Sequence, residues 1–334
     1  MQWSQLPPLP DQAGLGAPYA GVSQGHLLVA GGTNFPAAPL WEGGKKVWHD
    51  AVYCLDRPDG QWSQAGKLPR PLAYGVSLTT RGGVLCLGGC DASRHYADVF
   101  VLKLANGEVQ SEALAPLPRP LAYACGAVAG STVYIAGGLE AADSTCSLKN
   151  FWSLDLTAKL PQWRELEPWP GPSRMLSVAA AIDDAFYLIS GCELSTPPGG
   201  KPTRTYLTDA YRFKPGEDWT RMADLPKPVV AAPTPAAAPD DSRIIVLGAD
   251  DGSIVGFQPI QEHPGFPRNI FTYHTRANSW RQADGAPISR ATAPLVKWRG
   301  RYIVASGEMR PGVRSPEVWS FAADTPPPPN STHL

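Results

Sequence analysis

Six apolar runs, each ending in a glycine pair or a close variant, recur along the 334 residues. They read HLLVAGG (26–32), VLCLGG (84–89), VYIAGG (133–138), FYLISG (186–191), IIVLGA (244–249) and YIVASG (302–307). Their spacing, about 50–60 residues, is close to the kelch period. Each run is followed by an aromatic-bearing strand: AVYCLD (51–56), DVFVLKL (98–104), NFWSLDL (150–156), DAYRFK (209–214), NIFTYHT (269–275) and EVWSF (317–321). A Trp-containing segment commonly follows, as in QWSQAGKLP (61–69), QWRELEPWP (162–170), DWTRMADLP (218–226) and SWRQADGAP (279–287). A strand of small residues comes next, as in LAYGVSL (72–78) and LAYACGAV (121–128). Four short strands per unit make one blade of a β-propeller.

The repeat therefore predicts an all-β fold, a six-bladed kelch β-propeller. The sixth unit lacks a Trp strand at the C-terminus, and QWSQLPPLP (2–10) supplies one. Its pairing into the last blade closes the ring and removes two free edges. The glycine pairs, Gly31-Gly32, Gly88-Gly89 and Gly137-Gly138, suit sharp turns where blades crowd the axis. Trp62, Trp163, Trp219 and Trp280 are expected to pack between blades. Residues 1–324 make one propeller, and the Pro-rich stretch 325–334, TPPPPNSTHL, is expected to be a disordered tail.

Composition narrows the function classes. A formal net charge of -1 gives no general field for nucleic acid or an anionic membrane. No stretch approaches the length of a membrane span. The start, MQWSQLPPLP, shows no basic region followed by an apolar run. A cytoplasmic location is expected, or a periplasmic one if a leader has been removed. Cys54, Cys86 and Cys125 fall inside strand-like runs, where a reduced thiol packs as a small hydrophobe. The Cys86–Cys90 spacing has no second pair to make a metal site.

Equivalent loops of a propeller emerge on one face. The segments after the Gly-ending strands are long at 33–50, 192–208 and 250–268, and shorter at 308–316. Long loops on a rigid scaffold are where sites are built. These loops are rich in Arg, Trp and Asn, which suits an oxygen-rich anionic small molecule. Within SGEMRPGVRSPEVW (306–319), Glu308 and Arg314 flank Pro311-Gly312, and an ion pair that only shapes the turn is one reading of them.

The chain resembles the N-acetylneuraminate epimerases, bacterial sialic acid mutarotases of the kelch class. The carrying segments are GEMRPGVRSPEV (307–318), AGGTNFP with WEGGKKVWHD (30–50), and AYGVSL (73–78). Arg310 stands where the family pattern has Lys, which keeps charge and alters geometry. The Gly-Glu segment comes last here, where the bacterial mutarotase has it before the Ala-Gly-Gly segment. The order is that of a cyclically permuted mutarotase group.

The resemblance implies an isomerase that interconverts the α and β anomers of N-acetylneuraminate through ring opening. It implies Glu308 as the acid/base and Arg314 as the group that holds the substrate carboxylate. Partial burial is expected to raise the Glu308 pKa. Asn34, Trp41, His49, Tyr74, Arg204 and Arg310 are the candidates for further substrate contacts, with Tyr74 placed in an innermost strand and Lys45 and Lys46 exposed. No metal or cofactor is implied, since only the hemiketal changes. The expected partner is a small anionic sugar, with monomer and homodimer both open.

Three rivals stand beside this reading. A kelch propeller can be a non-catalytic binding module, since fold does not determine function. A mutarotase or isomerase of another or a modified ulosonic acid would use the same scaffold. A copper radical oxidase or a sialidase is disfavoured, because the six His show no paired spacing and Asp-box turns are missing.

Overall fold

A computed structural model describes residues 1–283 and 285–323. It has six four-stranded antiparallel sheets arranged as blades. The innermost strands are Tyr19–Ser23, Val76–Thr80, Cys125–Ala129, Val178–Ile182, Ala237–Asp240 and Leu295–Trp298. The Gly-ending runs form the second strands and the aromatic segments the third. The proposed tail, 325–334, lies outside the described residues. Among the described residues no helix is long and apolar enough to cross a membrane.

Ring closure is as the repeat predicts. Strand Gln2–Leu6 pairs antiparallel with Val318–Ala322, in the register Gln2 opposite Ala322 and Leu6 opposite Val318. Trp3 packs on Phe321 with ring centroids 4.8 Å apart. Beyond the strand, the Leu9 amide donates to Pro316 O at 2.8 Å, and Leu9 is fully buried.

Three sets of contacts join each blade to the next. The four repeat tryptophans each donate their indole N–H to a carbonyl of the preceding blade. Trp62 reaches Pro7, Trp163 reaches Ala115, Trp219 reaches Glu167 and Trp280 reaches Ala223, at 2.8–3.2 Å. The second glycine of a pair donates to the following blade: Gly32 to Leu72 O, Gly89 to Leu121 O, Gly138 to Arg174 O and, across the closure, Gly307 to Leu15 O. The first glycine has a steric reason as well. A Cβ on Gly88 or Gly137 would lie 2.3 Å from the carbonyl oxygen of Leu121 or Arg174, and both residues have φ above +60°.

The third set is a closed ring. Ala17, Tyr74, Tyr123, Leu176, Ala231 and Thr292, one per blade, all have φ between 51° and 61°. Tyr74 N–H donates to Ala17 O, Tyr123 to Tyr74, Leu176 to Tyr123, Ala231 to Leu176, Thr292 to Ala231 and Ala17 to Thr292, at 2.7–3.1 Å. Tyr74 is thus corrected from a place in the innermost strand. That strand begins at Val76, and Tyr74 turns left-handed just before it, at the channel mouth.

Deleting residues 1–7 should bare the edge of Val318–Ala322 and remove Leu6 from the core. We expect a loss of several kcal/mol, about 10 °C in melting temperature, with concentration-dependent association. Adding a peptide of residues 1–10 should restore part of the loss, and an unchanged melt would contradict the closure. A second expectation concerns pH. Burial lowers the pKa of His95, which offers Nδ1 to Leu139 O, and of His263. Folding therefore favours their neutral forms, and that stability is present above the unfolded pKa, about 6.5. It is lost as pH falls from there through the depressed folded values. Melting curves from pH 7 to 5 should fall, and replacing both with Gln should flatten that limb.

Candidate functional site

Immediately before each left-handed residue of the ring, the chain forms a bridge to the residue that follows the Gly-ending strand. The six bridges are Gly16–Thr33, Ala73–Cys90, Ala122–Leu139, Met175–Cys192, Val230–Asp250 and Ala291–Glu308. Thr33, Cys90, Leu139, Cys192, Asp250 and Glu308 therefore occupy equivalent rim positions around one mouth of the channel. Glu308 is one of the two carboxylates in that set. Its location follows from the repeat, before any side-chain contact is considered.

Three of the four loops at 33–50, 192–208, 250–268 and 308–316 fold into short hairpins on this face. They pair Thr33–Asn34 with Val47–Trp48, Cys192–Ser195 with Thr203–Tyr206, and Glu308–Arg310 with Val313–Arg314. In the last, Glu308 lies directly opposite Arg314. Pro311-Gly312 makes the turn, with Gly312 at φ 80°. Glu308 Oε1 accepts the Gly312 N–H at 2.7 Å and lies 3.4 Å from Arg314 Nη1. The carboxylate is thus held by the turn of its own hairpin.

Arg314 is deeply set, with its side chain 3 % exposed. Its guanidinium carbon sits 4.9 Å from the centre of the Phe35 ring. Gly16 closes the other side, where a Cβ would come within 2.9 Å of Nε. Nε and Nη1 nevertheless have no hydrogen-bond partner in the protein. A buried donor left in this way costs about 1–3 kcal/mol, more when charged. Glu308 gives Nη1 an ion-pair neighbour at 3.4 Å without a hydrogen bond.

Glu308 and Arg314 border a cleft of about 450 Å³. Tyr74, Arg204 and Lys46 line it as well, together with Phe35, Tyr123, Leu139, Ala142, Met175, Leu176 and Thr292. Lys46 was expected to be exposed. Instead it is half-buried, donates to Tyr74 Oη at 3.2 Å and stands over the Trp48 and Tyr74 rings. The Arg204 side chain has no hydrogen bond or ion pair among the described residues. Three basic side chains and one carboxylate give the cleft a formal excess of positive charge.

Burial holds two rim thiols and one tyrosine in their neutral forms. Burial pushes the Cys90 thiol up to about 11, with Tyr123 and Trp48 beside it. Burial pushes Cys192 to about 11 also. Tyr123 is raised further, first by burial and then by Cys90 and Tyr74. Among the described residues no group of His, Cys, Asp and Glu could hold a metal ion.

The structure does not bring every candidate to the cleft. Asn34 is buried, and its amide donates to the Asp11 carboxylate at 3.1 Å and to Gly14 O at 3.0 Å. Its Oδ1 meets His49 Nε2 at 2.8 Å. Asn34 and His49 thus brace the first hairpin and are not among the cleft-lining residues. Trp41 and Arg310 stack on one another at 5.7 Å, outside the lining set, and Arg310 donates to Gln261 O. Glu317 supports the segment from behind, paired with the buried Arg290 at 2.5 Å.

The N-acetylneuraminate epimerase family model matches residues 1–110 and 114–262. The N-acetylneuraminate epimerase of Yersinia enterocolitica is 43% identical over 104 residues, 27% of this chain and 26% of that protein. That of Brucella suis is 43% identical over 113 residues, 30% and 29% of the two chains. N-acetylneuraminate epimerase 1 of Escherichia coli O6:H1 is 36% identical over 120 residues, 33% and 32% of the two. The aligned stretches span about a quarter to a third of these curated relatives. The solved structure of YjhT matches with a TM-score of 0.70 and 16% identity over 96% of this chain and 98% of that one, a likeness of fold. With the family model matched over more than half of its length, the chain belongs to the N-acetylneuraminate epimerase family.

Proposed function

We propose that this protein is a sialic acid mutarotase, which interconverts the α and β anomers of N-acetylneuraminate. The observation that carries this reading is Arg314, a buried guanidinium whose Nε and Nη1 make no hydrogen bond, beside a fixed carboxylate in a positively charged cleft. A guanidinium of this kind is built to take a carboxylate, and the substrate carries one on the anomeric carbon C2. Family membership supplies the sugar.

The chemistry needs a proton removed from the C2 hydroxyl and a proton given to the ring oxygen. Both oxygens are bonded to C2, so the two oxygens of one carboxyl group can span them. The Glu308 carboxylate takes the hydroxyl proton as the C2–O bond to the ring opens, and the carboxyl group so formed gives that proton to the departing ring oxygen. A C2 carbonyl forms, rotates about its bond to C3, and the ring closes on the other face with the proton transfers reversed. Arg314 binds the carboxylate and offsets negative charge beside C2. Lys46 and Arg204 add to the field that draws the anion in. Six free thiols, five of them buried, suit a reducing compartment, and we place the reaction in the cytoplasm.

Proton NMR of α-N-acetylneuraminate freshly released from its glycoside should show a faster approach to equilibrium with protein present. Binding without acceleration would favour a non-catalytic module instead. Glu308→Gln should lower the catalysed rate by about 10²–10⁴ with little change in binding. Full activity in that variant would remove Glu308 from the chemistry. Arg314→Met keeps an apolar stem on Phe35 and discards a buried charge with unbonded donors. It should raise KM sharply, with at most a modest fall in melting temperature, because Glu308 loses its ion pair but keeps the Gly312 N–H. A destabilised Arg314→Met with unchanged KM would make Arg314 structural.

A further inference from the structure

Resting on the mutarotase reading, we propose that the cleft holds a second anion subsite, made by Lys46 and Arg204 around the Tyr74–Tyr123 pair. Its preferred substrate is then an ulosonic acid with a phosphate ester on its exocyclic chain. In a six-bladed ring, blades three positions apart face each other across the axis. Glu308 and Arg314 belong to the last blade. Tyr123 is the left-handed residue of the third blade, directly across, and Tyr74 is that of the second.

The two tyrosines pack together, with ring centroids 4.7 Å apart. A cation reaches them from each flank. Lys46, from the first blade, donates to Tyr74 Oη at 3.2 Å and lies 5.3 Å from the centre of that ring. Arg204 comes from the fourth blade, on the outer strand of its hairpin, opposite Leu194. Burial raises the pKa of Tyr123 and of Cys192, and the Arg204 charge works against that rise at both.

Neither cation is neutralised among the described residues. Lys46 keeps two N–H donors after its bond to Tyr74, and the Arg204 side chain keeps all five. The nearby carboxylates are held elsewhere. Asp250 accepts from Tyr206 Oη at 2.6 Å and from the Gly252 N–H at 3.0 Å. Glu193, beside Leu194, accepts from Ser173 Oγ at 3.4 Å. Neither borders the cleft, and Glu308 is paired with Arg314. This side of the cleft therefore carries two cations and no acid. A sugar carboxylate on Arg314 leaves both unmatched.

The substrate class follows from that charge. A phosphate monoester carries about −1.5 to −2 near pH 7 and three acceptor oxygens. It matches an ammonium and a guanidinium together, and Arg can hold it with two parallel hydrogen bonds. In a nine-carbon ulosonic acid the carboxylate is C1, and a three-carbon chain leaves the ring at C6. A phosphate at C9 ends that chain, whose rotatable bonds let it reach from the ring to the tyrosine pair. A C9 hydroxyl in the same place is neutral and leaves both charges unmatched.

The test uses the intact protein and two substrates, N-acetylneuraminate and its 9-phosphate. Mutarotation is read at equilibrium by NMR magnetisation exchange between the α and β signals of the C3 protons. kcat/KM should be higher for the 9-phosphate by about 10–10²-fold at low salt, and the ratio should shrink as salt is raised. Arg204→Gln and Lys46→Gln should each bring the ratio toward one. Lys45→Gln removes the same charge from the exposed neighbour of Lys46 and should leave the ratio as it is. Equal kcat/KM for the two acids overturns this proposal, as does a preference that Arg204→Gln and Lys46→Gln both leave intact or that Lys45→Gln lowers as much. In each of those cases turnover of N-acetylneuraminate leaves the mutarotase reading standing. Turnover of neither acid overturns the underlying reading, and this proposal with it.

Discussion

Six backbone hydrogen bonds, running head to tail from Ala17 around to Thr292, tie the inner ends of all the blades together. Each is made by a residue in the left-handed region, and none of the six is glycine. That conformation costs a non-glycine residue about 1–2 kcal/mol. The cost is met because the left-handed turn does two things at once. It aims one N–H at the preceding blade, and it leaves the residue before it in position to bridge the end of its own blade's second strand. Without the turn, neither the ring nor the six rim bridges could form together.

The rim is therefore a place where the backbone is fixed and the side chain is free to differ. Thr33, Cys90, Leu139, Cys192, Asp250 and Glu308 share one backbone geometry and span the range from hydrocarbon to carboxylate. Ion pairs built on buried arginines brace the same level from outside. Arg174, fully buried, bonds Asp209 at 2.8 Å and sits between the Trp169 and Tyr211 rings. Arg290 bonds Glu317 at the corresponding place in the last blade, directly behind the Glu308–Arg314 hairpin. A charge stripped of its partner in such a place is strongly destabilising, so these pairs hold register as well as contributing contacts.

Much of this was legible from residue order, and what was missed has physical causes. The blade count, the closing strand and the interblade tryptophans follow from a repeated pattern whose members all face the same neighbours. Glu308 and Arg314 were legible because a Pro-Gly turn sets them opposite each other within one hairpin. Tyr74 was misplaced because Ala-Tyr-Gly-Val reads as a continuous small-residue strand. Its left-handed turn depends on a hydrogen bond to Ala17, which belongs to another blade. Lys46 looked like one of two surface lysines, and only the Tyr74 hydroxyl from the next blade distinguishes it. Asn34 had the composition of a ligand contact, but Asp11 and Gly14, from the segment that closes the ring, take its amide.

The surroundings of Arg314 explain how a guanidinium can be kept in so poor a place for stability. Arg314 gains from the Phe35 ring on one face and needs Gly16 on the other, so its plane has little freedom. Solvating it would require a wider mouth, and a wider mouth would loosen the bridge at Gly16 that starts the first blade. Because the ring of backbone bonds holds that bridge in place, the guanidinium cannot relax toward water or toward a better angle on Glu308. An acceptor brought in by a ligand is then worth more than it would be to a mobile surface arginine, since no ordering of the side chain remains to be done. On the proposed function, the rigidity that a closed propeller gives to its rim would be converted into binding energy at this one residue.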